Sequence, residues 1–194
     1  GSWIAIRGRG AGGLMLTDSL ACAPGALDGL RVLDLTSVVM GPYATQILGD
    51  HGADVVKIEP PSGDLMRYPG PARHVGMGAI FLNANRNKRS VVLDLRHPEG
   101  RAALLALVPG FDAVVYNVRP QAMARLGLGY EAFHEVNPRI VYVGAYGFGE
   151  DGPYAGRPAF DDVIQAACAL PDLAARAYGG GYRTGFGVLA SQDT

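Results

Sequence analysis

A strand, a helix and a second strand, all predicted within residues 30–59, constrain the fold of this chain most strongly. Residues 30–39 form an apolar run rich in Val and Leu, which is typical of a buried strand. Pro42 suits the first turn of a helix, and residues 43–50 carry apolar side chains at helical spacing. Residues 54–59 form a second apolar run, which a pair of prolines ends. Together they predict a βαβ unit, in which the strands are parallel and the crossover is right-handed.

The same alternation continues along the chain. Further strands are predicted at residues 90–94, 112–117 and 140–146. Helices are predicted at residues 98–108, 120–126 and 130–136. Strands that alternate with helices in this way indicate an α/β fold, here a doubly wound, mainly parallel, Rossmann-like sheet.

The chain is expected to have three parts: a leader at 1–26, a domain at 27–182 and a divergent tail at 183–194. Within the leader, Gly8, Gly10 and Gly13 spell G-x-G-x-x-G, the glycine pattern of dinucleotide-binding sites. Such a site needs a firm strand before the glycines and an amphipathic helix after them, and the leader is poor in both. We therefore expect a flexible, glycine-rich leader rather than a nucleotide site.

The composition argues against several classes of protein. The formal net charge is −1, so no overall positive field attracts nucleic acid. No run approaches the roughly 18 consecutive apolar residues of a membrane helix, and the first residues lack the order of a signal peptide, so we expect a soluble cytoplasmic protein. Cys22 and Cys168 are far apart among small apolar residues, which predicts neither a disulfide framework nor a metal site. Any anionic ligand must therefore be held by local groups.

Polar residues follow several predicted strands, at the edge where open α/β sheets bind ligands. Backbone N–H groups in residues 37–42, at the start of the first predicted helix, could receive a phosphate or a carboxylate. Arg96 follows one strand, and Asn117 and Arg125 follow another. A guanidinium pairs with phosphate oxygens in bidentate fashion, so arginines converging on one edge indicate a phosphate-rich ligand. Each arginine alone would equally fit a solvated surface.

Many short sequence blocks occur in a fixed order between Leu27 and Gln165. They are residues 27–35, 41–42, 49–59, 62–64, 85–90, 93–94, 98–100, 117, 119–120, 125–127, 137–138, 147–149 and 152–154. Taken together, and in this order, they resemble the family III coenzyme A transferases, which include formyl-CoA transferase, carnitine-CoA transferase and α-methylacyl-CoA racemase. The resemblance implies an α/β fold that binds coenzyme A and acyl-CoA as substrates.

The resemblance also implies roles for individual residues. Six positions match coenzyme A contacts of the family: Val38, Val39, Leu93, Arg96, Asn117 and Arg125. The first two correspond to the stretch along the pantetheine and thioester end, and the next two to positions near the adenine and phosphates. Pro60 stands where some members have an arginine, so one possible phosphate or adenine contact is missing.

The activity that the resemblance implies is transfer of coenzyme A through an aspartate. The carboxylate attacks the acyl-CoA carbonyl and gives a mixed anhydride, which is as activated as the thioester that it replaces. Asp161 matches an acidic residue beside the active site, and Asp193 falls near the position expected for the nucleophile. Both are candidate catalytic residues; a charge at a helix start and an acid in a tail are the plainer alternatives.

Two other functions remain open. The racemase branch moves a proton, for which histidine is suited, and its members share a Gly-His-Asp segment. This chain has Phe160 before Asp161, and a phenyl ring cannot carry a proton, which favours transfer. The resemblance implies an interlocked homodimer with a smaller second domain, and we expect that domain to be absent from this chain. An inactive fragment that binds coenzyme A is therefore the third possibility.

Overall fold

The structure, a computed structural model, describes residues 25–178 and has a sheet of five strands within them. The strands are β1 (Arg31–Leu35), β2 (Asp54–Glu59), β3 (Lys88–Val92), β4 (Ala113–Tyr116) and β5 (Val141–Gly144). Their order is β3-β2-β1-β4-β5, and all neighbouring pairs are parallel. The order reverses between β1 and β4, as it does in doubly wound α/β folds. The predicted fold class is confirmed.

Helices connect the strands and flank the sheet. They are α1 (Met40–Asp50), α2 (Ala79–Ala84), α3 (Pro98–Leu107), α4 (Pro120–Arg125), α5 (Tyr130–Val136), α6 (Asp161–Ala167) and α7 (Leu170–Tyr178). Proline begins α3 and α4, where its missing N–H interrupts no helical hydrogen bond. None of these described helices is both long and apolar enough to cross a membrane.

The two faces of the sheet differ because successive side chains of a strand point to opposite sides. Leu33 and Val56 belong to the larger core, in which Leu104 of α3 and Phe133 of α5 are fully buried. Val32 belongs to a smaller core on the other face, against which Leu48 of α1 packs. Helices on both faces bury the central strands β1, β2 and β4, whereas the edge strands β3 and β5 are largely exposed.

The face toward α1 becomes polar as the strands approach their carboxyl ends. Asp34 shares this face with Val32, and Lys57 and Glu59 share it with Val55, because each is two or four residues further along its strand. All three charged side chains are buried. This polar end of the α1 face positions the candidate site.

The first strand is shorter than the predicted run of residues 30–39. It ends at Leu35, because the N–H of Thr36 turns back to the Asp34 carboxylate. Val38 then has a φ of 72°, which no strand can accommodate.

The other boundaries differ less. The strand predicted at 90–94 spans Lys88–Val92, because its pairing partner β2 ends at Glu59, opposite Val92. Between β2 and β3, where no helix or strand is predicted, lie α2 and a short 3-10 helix, Leu65–Arg67. Residues 1–24 of the predicted leader and all of the predicted tail lie outside the described residues, so those two boundaries stay predictions.

Candidate active site

A cavity of about 370 Å³ lies at the carboxyl ends of β1 and β2, beside the point where the strand order reverses. Its apolar lining includes Leu35, Ile58, Leu93, Leu95, Met123 and Leu126. Polar and charged residues also border it: Ser37, Lys57, Glu59, Asp64 and Arg96. Open α/β sheets bind ligands in this position, and an apolar crevice with a few polar groups is typical of a small-molecule site.

The segment after β3 brings Leu93 and Arg96, two of the predicted site residues, to this cavity. The Arg96 Nε donates to the Asp94 carboxylate at 3.1 Å, and this bond raises the pKa of the guanidinium. The Arg96 side chain is 80% exposed. A Cβ on Gly100 of α3 would lie 2.1 Å from the Asp94 carbonyl oxygen, so the helix packs directly on this segment. A fixed backbone thus presents an accessible cation at the rim.

Asn117 ties the loop after β1 to the end of β4, across the point of reversal. Its Nδ2 donates to the Ser37 carbonyl at 3.0 Å, and its Oδ1 accepts from the Ser37 N–H at 3.0 Å. The side chain is only 2% exposed. Both polar atoms of this predicted ligand contact therefore already have protein partners.

Val38 adopts the left-handed backbone conformation, which is unusual for a β-branched residue. It is buried, and its N–H donates to Oδ1 of Asp64 at 3.3 Å. Val39 follows as the N-cap of α1. The sequence predicts that N–H groups of residues 37–42 receive an anion, but those of Ser37 and Val38 are directed to Asn117 and Asp64. Protein oxygens, rather than a ligand, occupy these two donors.

Lys57 and Asp64 form an ion pair beside this loop. The Lys57 Nζ lies 2.9 Å from Oδ2 of Asp64 and donates to the Thr36 carbonyl at 2.7 Å. Both side chains are 1% exposed. Oδ1 of Asp64 also accepts the N–H of Met66 at 2.9 Å. Through the Thr36 carbonyl and the Val38 N–H, the pair therefore contacts the backbone on both sides of Ser37.

Asp34 and Lys88 form a second buried pair under α1. The Lys88 Nζ lies 2.8 Å from Oδ2 of Asp34 and also donates to the Pro42 carbonyl at 2.7 Å. Thr45 of α1 donates to the same Asp34 oxygen at 2.7 Å. Burial alone would raise the pKa of Asp34, but Lys57 and Lys88 outweigh it and hold the pKa below its ordinary value. Burial lowers the pKa of Lys88, although Asp34 opposes this.

Glu59, the last residue of β2, is the most fully bonded carboxylate near the cavity. Arg67 donates to its two oxygens at 2.7 and 2.6 Å, Ser90 donates at 2.6 Å and the Asp64 N–H donates at 2.9 Å. Burial alone would raise the pKa of Glu59, but these donors outweigh it and lower the pKa to about 2. The carboxylate is therefore charged across the physiological range and fixes the turn after β2.

A glycine allows α1 to begin close to the end of β1. A Cβ on Gly41 would lie 2.4 Å from the Cβ of Thr36, closer than any real contact. Gly41 is buried in the first turn of α1. Any larger residue would push the helix away from the polar end of the sheet.

The remaining predicted residues lie elsewhere. Arg125 is exposed at the end of α4 and is not among the described residues that line the cavity. Asp161 is half-buried in the first turn of α6, where it accepts from Gln165 at 2.8 Å, and it too is not among that lining. Phe160 is 48% exposed as the N-cap of α6. Asp193 lies outside the described residues.

The predicted residues thus fall into separate groups. Leu93 and Arg96 share the cavity, whereas Asn117 bonds to Ser37, the residue before Val38. Asp161 is not one of the described residues that form this lining.

The sequence interpretation assigned no role to the buried charges. A signal was present, because Asp34 and Lys57 each interrupt an apolar strand. Charged side chains are almost never fully buried unless they are paired. Opposite charges in two predicted parallel strands therefore indicate an internal ion-pair network.

Comparisons with known proteins agree on one family. A family model described as CoA-transferase family III matches residues 27–191. An acyl-CoA transferase of Fusarium pseudograminearum is 38% identical over 180 residues, which are 88% of this chain and 40% of the relative. An acetyl-CoA:oxalate CoA-transferase of Acetobacter aceti is 42% identical over 158 residues, which are 80% of this chain and 40% of the relative.

A solved structure extends the agreement to the fold. A CAIB/BAIF family protein from Brucella suis superimposes with a TM-score of 0.74 at 36% sequence identity. The match covers 88% of this chain and 44% of that protein. The chain spans less than half the length of the relatives it matches.

Proposed function

The chain belongs to CoA-transferase family III, and on this premise we propose that it serves the transfer of coenzyme A from an acyl-CoA donor to a carboxylic acid acceptor. The observation that carries the proposal is the cavity at the carboxyl ends of the strands, with apolar walls and Arg96 at its rim. Relatives whose names specify coenzyme A transfer to carboxylic acids support it.

Coenzyme A has an apolar purine ring beside anionic phosphates, and the cavity offers partners for both. We infer that the ring packs near Leu93 and that Arg96 pairs with phosphate oxygens, since its guanidinium is accessible. Val38 and Val39 would lie along the pantetheine arm, and Asn117 and Arg125 would make further contacts. For Asn117 this contact would coexist with its bonds to Ser37.

The chemistry that we propose uses an aspartate as nucleophile. A carboxylate oxygen bonds to the acyl carbon, the carbon–sulfur bond breaks, and the electron pair leaves on the coenzyme A thiolate. The acceptor's carboxylate then attacks the aspartyl carbonyl of the anhydride, the donor leaves as its free carboxylate, and an anhydride between the aspartyl group and the acceptor remains. Attack of the thiolate on the acceptor's carbonyl forms the new thioester and regenerates the carboxylate.

Asp161 and Asp193 are the proposed carriers of that step. Asp161 stands at the start of α6, and Gln165 donates to its carboxylate, which would keep it oriented. The reaction as proposed requires no metal ion. The resemblance further implies a cytoplasmic homodimer, which belongs to the proposal.

Calorimetry with coenzyme A tests the binding part. We expect the unaltered chain to bind, and Arg96→Gln to bind about 10-fold more weakly, as loss of a charged phosphate contact predicts. Arg89→Gln is the matched control, because this exposed arginine bonds to Asp54 at the start of β2, away from the cavity. A folded chain without affinity for coenzyme A or its esters would overturn the proposal.

Trapping with hydroxylamine tests the chemical part. Incubation with several acyl-CoA donors should place a hydroxamate on Asp161 or Asp193, which mass spectrometry would locate. Exchange of label between acyl-CoA and free acid without modification of either residue would contradict the site assignment. Proton exchange at the α-carbon without acyl transfer would favour the racemase instead.

A further inference from the structure

The loop after β1 borders the cavity in a conformation that its own residues disfavour. Thr36 and Ser37 line the cavity, and Val38 follows with a φ of 72°. Left-handed backbone is costly for a β-branched residue and persists only where the surroundings enforce it. Backbone strain of this kind clusters at binding and catalytic sites.

Lys57 and Asp64 enforce this conformation from two sides. The Lys57 ammonium holds the Thr36 carbonyl at 2.7 Å, before Ser37, and the Asp64 carboxylate accepts the N–H of Val38, after it. The two groups are joined at 2.9 Å. Because Lys57 is on β2 and Asp64 follows that strand, the pair anchors the loop to the neighbouring strand.

Stability alone does not account for this pair. A buried ion pair contributes little over well-packed apolar residues of similar size, because desolvation offsets the attraction. Lys57 stands in an apolar strand, where a hydrophobic residue would continue the pattern. Both members of the pair also border the cavity. Their position suits a role in shaping the cavity wall.

We propose that the Lys57–Asp64 pair is a positioning device, which holds Val38 in its left-handed conformation and keeps the cavity wall formed before the ligand arrives. The inference rests on the proposed function, since it takes coenzyme A as the ligand. Without the pair, Val38 relaxes and only part of the population is competent to bind. The apparent affinity then falls by that fraction.

The test compares affinity for coenzyme A among variants of the full chain. Lys57→Met with Asp64→Ala removes both charges, so that neither is left buried without its partner. We expect this double variant to bind about 10-fold more weakly, as relief of backbone strain predicts. Adding Val38→Gly should restore part of the affinity, because glycine adopts the left-handed conformation at no steric cost, while the proposed contact of the valine side chain with the pantetheine arm is lost.

Two controls separate strain from other effects. Val38→Ala removes the same branched side chain but keeps the Cβ, so it should restore much less than Val38→Gly. Ala169→Gly relieves left-handed strain between α6 and α7 and should leave the affinity unchanged. An affinity of the double variant within about 2-fold of the unaltered chain, with only its stability reduced, would overturn the proposal.

Hydrogen exchange on the unaltered chain provides a second measurement if the double variant does not fold. The Val38 amide should be protected without coenzyme A, because Asp64 already accepts its proton. Exchange of the Val38 amide at the rate of an open loop would contradict the proposed role of the Lys57–Asp64 pair, whether or not the ligand binds. Absence of coenzyme A binding by the unaltered chain would instead contradict the proposed function, and with it the ligand assigned to this device.

Discussion

Ion pairs at the amino ends of the strands and ion pairs under α1 use the same residue types in opposite surroundings. At the amino ends, Asp54 bonds to both Arg31 and Arg89, and these three side chains are 38–64% exposed. Under α1, the inner pairs are Asp34 with Lys88 and Lys57 with Asp64, and all four side chains are at most 1% exposed. The outer charges keep most of their hydration when the partner is removed. The inner charges are shielded from water, so only protein groups can compensate them.

Because of this difference in exposure, the outer and inner ion pairs contribute to the structure in different ways. An exposed pair gains little, because water and salt compete with it. A buried pair gains little over apolar packing but is costly to break, and its hydrogen bonds fix whatever backbone they reach. The inner charges reach carbonyls and N–H groups of the loop after β1 and of α1, so they organise the cavity wall.

The largest predicted effect is the loss of the inner carboxylate. Asp34→Asn leaves the Lys88 ammonium buried without an opposite charge, and we expect the free energy of unfolding to fall by about 3–5 kcal/mol. Urea denaturation of the variant and the unaltered chain measures this.

A double variant sharpens that result. Adding Lys88→Met to Asp34→Asn removes the uncompensated charge and should recover part of the lost stability. Equal losses for the single and double variants would mean that charge burial is not the cause. If Asp34→Asn lowers the free energy of unfolding by less than about 1 kcal/mol, the inner pair contributes no more than a surface pair does.

Acid should also destabilise the chain through a buried carboxylate, here Glu59, with a somewhat smaller expected loss of stability. The pKa of Glu59 is about 2 in the folded chain and ordinarily 4.5, so its stabilisation is complete above the ordinary value and is lost as the pH falls toward 2. A shift of this size corresponds to roughly 3 kcal/mol. Glu59→Gln should therefore flatten the fall in stability between pH 5 and pH 2, measured by urea denaturation.

The control for acid is an exposed glutamate. Glu131→Gln, in the first turn of α5, should leave the acid dependence as it is in the unaltered chain. If the two variants lose stability in parallel across this range, the bonds from Arg67 and Ser90 do not hold Glu59 charged.

Much of the fold could be predicted because its determinants are local. The run at 54–59 carries its own strand pattern and its own stop at Pro60, and the structure has β2 at those residues. The shift of β3 was harder to foresee, because the end of that strand depends on where β2 stops. The sequence of a strand shows its own apolar pattern. The residue at which the strand ends depends also on where the neighbouring strand stops pairing with it.

The candidate site could be predicted only in part, for a related reason. The end of a predicted strand locates Arg96, because a parallel sheet brings such ends to one edge, whereas only the family resemblance points to Leu93. The conformation of Val38 instead depends on Asp64, 26 residues away, and that of Ser37 on Asn117, 80 residues away. No local pattern specifies a backbone angle that distant side chains enforce. The buried charges were visible as interruptions of apolar strands, but their partners were not.

The smallest predicted effect concerns the outer pairs. Asp54→Asn removes the partner of both Arg31 and Arg89, yet both arginines are exposed and stay hydrated, and Arg31 keeps its bond to the Gly110 carbonyl at 2.6 Å. We expect a loss of at most about 1 kcal/mol by urea denaturation, shrinking further in 1 M salt, where the screening length is about 3 Å.

The salt dependence of the two losses tests the difference between the inner and outer pairs directly. The loss caused by Asp34→Asn should change little between low and high salt, because ions do not penetrate to a buried pair. The loss caused by Asp54→Asn should nearly vanish. If both losses respond to salt alike, the inner pair is hydrated in solution, and its hold on the loop after β1 is no firmer than that of a surface contact.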